Sequence, residues 1–176
     1  EIKSGYGLSV ESEIKMLRVI KRLKGMTDIT VKATFLGAHA YPTQYKENHE
    51  GYIKEIVTEM LPVIADEGLA DYIDVFCEKG YFSIDEAAQI LEAGLKAGLH
   101  PKIHVNQFNA LGGVDLAIKF NALSVDHLEI TTDADVNLLS NSNTIATLLP
   151  GCSHFLKIPY ANASQMIRQG VAVALA

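Results

Sequence analysis

The chain has 176 residues, 48% of them hydrophobic, which is ample for one domain with a buried core. Its 21 acidic and 15 basic residues leave a formal charge of −6, the wrong sign for binding a polyanion such as nucleic acid. No apolar run approaches the roughly 20 residues that span a bilayer, and Cys77 and Cys152 lie in apolar surroundings without CxxC or zinc-ribbon spacing, so both read as buried thiols of a reducing cytoplasm.

Short apolar or β-branched runs alternate with amphipathic segments, the pattern of parallel strands joined by helices. The first strand is expected at residues 1–4, ending in Ser4-Gly5-Tyr6-Gly7, and a helix over 9–24 follows, with Gly25 where a C-terminal cap belongs. The second strand, 31–38, runs into Gly37-Ala38-His39. A helix near 50–66 sets Ile53, Ile56, Met60 and Ile64 on one stripe, and Pro62 inside it predicts a kink because it lacks a backbone donor. The third strand, 72–78, ends in Cys77-Glu78, and the next helix opens at Ser83, at capping-box spacing from Glu86. The fourth strand, 101–106, carries His104 and leads into Asn106-Gln107; the fifth, 124–129, holds Asp126-His127-Leu128-Glu129. Further helices fit residues 110–121, 132–142 and 160–169, and further strands 144–150 and 171–176.

Seven near-regular β/α units favour a closed barrel over an open doubly wound sheet, and no GxGxxG follows the first strand to support a dinucleotide fold. A complete barrel takes about 250 residues, so the expected fold is a (β/α)₈ TIM barrel present as a truncated seven-strand portion. Both ends read as cut. Residues 1–176 are expected to form part of a single barrel domain.

Barrel enzymes build their sites at the carboxyl ends of the strands. His39, His104 and His127, three of the six histidines, fall at or near such ends. His104 is the best metal-ligand candidate, because neutral imidazole suits zinc and iron and an unpaired histidine in so apolar a strand would be costly. His49, His100 and His154 read as solvated surface residues. Tyr6 has either a pocket role, its flanking glycines giving the ring access, or a purely structural one as a wedge in the turn. Glu78 is open between a supporting partner of the site and a surface cap.

Segments 1–8 (EIKSGYGL), 34–40 (TFLGAHA), 73–78 (IDVFCE), 102–108 (KIHVNQF), 110–113 (ALGG), 124–129 (SVDHLE) and 148–151 (LLPG) resemble, in order and spacing, the imidazolonepropionase family of the amidohydrolase superfamily. The resemblance implies a metal-dependent hydrolase of cyclic amides. One zinc or iron ion would be held by a His-x-His pair before Glu1, by His104, and by an Asp after Ala176. It further implies that Tyr6, His39 and Gln107 contact the imidazolone ring and that His127 helps to activate the water. The implied reaction converts 4-imidazolone-5-propanoate to N-formimidoyl-L-glutamate in histidine breakdown, with the cationic partner of the propanoate in the missing N-terminal part. Asn106 departs from the Asp more usual in the family. The expected partner is this small-molecule substrate, with neither nucleic acid nor membrane; a homodimer stays open. Two rival readings are another amidohydrolase-type cyclic amidase or deaminase and an inactive barrel fragment. The two-metal members carry a carboxylated lysine on the barrel's fourth strand, and residues 73–78 have none.

Overall fold

A computed structural model describes all residues from Glu1 to Ala176. Seven strands form, each matching an expected one: β1 (Ile2–Lys3), β2 (Ala33–Ala38), β3 (Tyr72–Cys77), β4 (His100–Val105), β5 (Ser124–His127), β6 (Ile145–Leu148) and β7 (Val173–Leu175). Every registered pair is parallel and joins strands consecutive in the chain. That order follows from the helix after each strand, since a parallel return needs a crossover. The chain divides into two compact units, residues 1–76 with 85–100, and residues 77–84 with 101–176.

In the first unit α1 (Val10–Lys24) packs on β2 through a face that buries Ile14, Leu17 and Ile20. Ser9 caps it by accepting from the Ser12 amide, and Glu11 and Glu13 lie at the positive end of its dipole. The expected helix over 50–66 forms as α2 (His49–Glu55), a π-helical turn (Ile56–Met60) and α3 (Leu61–Glu67). Pro62 therefore sits in the first turn of α3, where its missing donor costs nothing, and the wide turn before it absorbs the misfit. The register of β2 shifts between Phe35 and Ala38, the mark of a bulge, and the Gly37 carbonyl there accepts from the buried Tyr52 hydroxyl at 2.9 Å. On α4 (Ile84–Lys96), Gly94 lies so close to Ile73 of β3 that an added Cβ would fall 2.5 Å from its side chain.

In the second unit α5 (Gly113–Lys119) packs on β5 and α6 (Asp133–Ser140) packs on α5. A full capping box, Thr132 with Asp135, opens α6. The strand expected at 144–150 stops at Leu148, because Pro150 opens α7 (Pro150–Leu156), a helix the sequence pattern had not disclosed. The last helix, α8 (Ala163–Arg168), packs on β7. No helix is long and apolar enough to cross a membrane.

Candidate active site

Gly5 and Gly7 hold the turn after β1 that presents Tyr6. Gly5 has φ +121°, and a Cβ there would meet the Leu36 carbonyl oxygen at 2.7 Å, so no other residue fits. The backbone amides of Gly5 and Gly7 both donate to the carboxylate of Glu13, at 3.0 and 2.6 Å, and Glu13 is fully buried. Tyr6 between them is exposed, and its ring meets that of His39 edge to face, with 4.6 Å between centroids and 70° between planes. His39, placed just beyond the β2 bulge, is half-buried and also lies 5.9 Å from the Phe76 ring. The structure thus brings Tyr6 and His39 together as one pair.

The second cluster begins on β4 and β5. Lys102 and His104 are two apart on β4 and share a face; Ser124 and Asp126 are two apart on β5, and His104 is in register with Asp126. Barrel interiors are usually filled by aliphatic layers. Here all four of these polar residues are buried. Asp126 accepts from Ser124 Oγ at 2.8 Å, and its Oδ2 faces Lys102 Nζ at 3.9 Å and His104 Nε2 at 4.0 Å.

His127 lies edge to face with His104, ring centroids 5.3 Å apart, and its Nδ1 is 3.5 Å from Glu129 Oε2. Glu129 Oε1 accepts from Ser153 Oγ of α7 at 2.7 Å. Burial would raise the Glu129 carboxyl, but the bonds from His127 and Ser153 prevail and hold it below its ordinary value. His127 and Leu128 both have positive φ, +88° and +67°, and their path is pinned by Leu128 N donating to Val105 O and Ile130 N to Asn106 O. Gln107 is buried and donates to Cys152 Sγ at 3.5 Å; burial and the neighbouring Glu129 push that thiol up. Asn106, at φ +57°, turns the chain after β4 and donates to Asp135 at 3.4 Å.

Glu78 is buried, not a surface cap. Its two oxygens accept from the amides of Lys79, Phe108 and Asn109 and from the Asn109 side chain. His100 and His154 are exposed as expected. His49 is not a free surface residue: it stacks on Tyr41 at 3.7 Å and bonds to Glu86 at 3.1 Å, because the turn after β2 folds over it. Sequence reasoning missed Glu13, Lys102, Asp126, Glu129 and Ser153. For Lys102 and Asp126 a signal existed, since each stands two residues from another polar side chain on a strand.

The chain's sequence is similar to imidazolonepropionases over all or nearly all of its length. It is 61% identical over 176 residues to that of Flavobacterium johnsoniae, 52% to that of Christiangramia forsetii, and 45% over 175 residues to that of Thermoanaerobacter pseudethanolicus. The chain spans 42 to 43% of the length of these relatives. No family model matches it. Among solved structures, a guanine deaminase from C. acetobutylicum aligns with 99% of the chain and 44% of its own at TM-score 0.73 and 14% identity. A 5-methylcytosine deaminase from Klebsiella pneumoniae aligns with 96% of the chain and 46% of its own at TM-score 0.67. With seven parallel β/α units in chain order, these likenesses give the fold class: a truncated (β/α)₈ barrel.

Proposed function

We propose that this chain is part of an imidazolonepropionase, which opens the ring of 4-imidazolone-5-propanoate to give N-formimidoyl-L-glutamate. The observation that carries the reading is 61% identity across every residue, Tyr6, His39, His104, Gln107 and His127 included in the matched length. Water adds to the ring carbonyl carbon, the carbon–nitrogen bond breaks, and the nitrogen leaves in the formimidoyl group while the carbonyl becomes a carboxylate.

The donor chemistry of the second unit fits a divalent ion such as zinc or iron: His104 offers an imidazole nitrogen in a buried place with a carboxylate, Asp126, beside it. His104 would hold the ion, whose chemistry when bound is to lower the pKa of a water molecule. His127 would accept a proton from the attacking water. Glu129 beside its Nδ1 favours the proton on that atom and leaves Nε2 as the base. His39 would address the ring carbonyl and Gln107 the ring nitrogens, with Tyr6 contacting the ring. Two free cysteines accord with a cytoplasmic enzyme.

The test is an ultraviolet assay for loss of imidazolonepropanoate by the enzyme carrying this chain, before and after chelation, with guanine as the control substrate. Turnover that chelation removes and metal restores is expected. No turnover with metal present, or preference for guanine, would overturn the proposal.

A further inference from the structure

We infer that Glu13 and Glu78 are positioning residues, each a buried carboxylate that fixes a loop by accepting hydrogen bonds from the backbone beside a substrate-contacting side chain. The inference takes its substrate contacts, Tyr6 and Gln107, from the proposed function.

Glu78 is 1% exposed, and burying a carboxylate is costly unless its oxygens are satisfied. Four bonds satisfy them: Oε2 accepts from Phe108 N at 2.9 Å and Asn109 N at 3.3 Å, and Oε1 from Asn109 Nδ2 at 3.0 Å and Lys79 N at 2.9 Å. A helix cap would serve its own next turn. Three of these donors instead belong to residues 108 and 109, directly after Gln107, so the carboxylate binds the loop that carries that amide. Bonds to a charged acceptor are roughly twice as strong as neutral ones.

Glu13 does the same on α1. It is 0% exposed, and its oxygens accept from Gly5 N at 3.0 and 3.1 Å and from Gly7 N at 2.6 Å, on either side of Tyr6. A Cβ on Gly7 would fall 2.7 Å from Glu13 Oε1. The glycine is therefore what lets the carboxylate approach. Loops are the mobile part of a barrel, and a contact residue on a loose loop loses its geometry.

The experiment uses the enzyme carrying this chain with Glu78→Gln, Glu78→Ala and Glu13→Gln, each read by site-resolved amide hydrogen exchange and by steady-state kinetics. Exchange at Phe108 and Asn109 should quicken by about tenfold or more in both Glu78 variants, and at Gly5 and Gly7 in the Glu13 variant. The value of kcat/KM should fall about 10- to 100-fold with metal content unchanged, Glu78→Gln keeping more than Glu78→Ala because one accepting oxygen remains. Unchanged exchange at these amides, or faster exchange with unchanged kcat/KM, would overturn the inference. Should Glu78→Ala fail to fold, Glu78→Gln decides. If the unmodified enzyme ignores imidazolonepropanoate, the functional reading fails on its own, while amide exchange still decides whether the carboxylates hold the loops.

Discussion

The rings of His104 and His127 meet edge to face with centroids 5.3 Å apart, yet they answer to different partners: Asp126 for the first, Glu129 for the second. Their substitutions should separate accordingly. In the enzyme carrying this chain, His104→Ala should lose metal and activity together. His127→Ala should keep the metal and lose about 10²- to 10⁴-fold in turnover. Metal analysis of the purified variants distinguishes them, and full occupancy in the His104 variant would refute its role.

The Tyr6 and His39 rings touch at 4.6 Å, so Tyr6→Phe removes a hydroxyl while leaving that contact in place. Its expected cost is about 1–2 kcal/mol of transition-state binding. His39→Ala removes both the ring and the hydrogen bond proposed for it to the carbonyl, and should lower kcat and kcat/KM by about 10²–10³. Normal turnover with a raised KM would show instead that His39 binds substrate and transition state alike.

Asn106 donates to the buried Asp135 at 3.4 Å. Asn106→Asp would set two carboxylates against each other, and should destabilise the fold by about 1–3 kcal/mol at neutral pH. The deficit should shrink in acid, as one carboxyl of the pair takes a proton. Denaturant midpoints at pH 7 and pH 5 check this; equal deficits would exclude a charge effect.

Asp71 ties Lys24 (2.6 Å), Lys32 (3.2 Å) and the Ala33 amide (2.8 Å) to the start of β2. Burial pushes its carboxyl up, but these bonds outweigh burial and bring it down to about 2. A depressed folded value means the stabilisation is complete above the ordinary value of 3.8 and fades as pH falls toward 2. Asp71→Asn should therefore cost about 1–2 kcal/mol at pH 7, allowing for solvent screening, and almost nothing at pH 2. Chemical denaturation across that window reads the difference.

Gly113 opens α5 directly behind Val105, and a Cβ there would come within 2.8 Å of the Val105 Cβ. Gly113→Ala gains helix propensity but overpacks that contact, for a net loss of about 1–2 kcal/mol. Because Val105 follows His104 on β4, activity should drop as well; an unchanged melting temperature would show that the helix simply moves away.

The strands were legible because β-branched and apolar runs recur between helical stripes, and the histidines because they stand at strand ends. The strand at 144–150 was overextended because Leu148-Leu149 continue the apolar run, and only the fixed φ of Pro150 reveals that a helix begins. Pro62 did mark an irregularity, but it took the form of a wide turn before it and not a kink at it. Glu13 could not be found by pattern. Its partners are backbone amides, which any residue would supply, and its burial at a helix start depends on where the preceding turn folds back.

The paired positive φ angles at His127 and Leu128 leave that segment without an easy mutational route. Glycine would relax either backbone. At position 128 it would strip a fully buried side chain, worth about 2–5 kcal/mol, and at 127 it would delete the imidazole itself. On the role proposed for His127, chemistry holds one residue and packing the other, so a lineage adapting to heat has to draw its added stability from elsewhere in the chain and carry this bend forward unchanged.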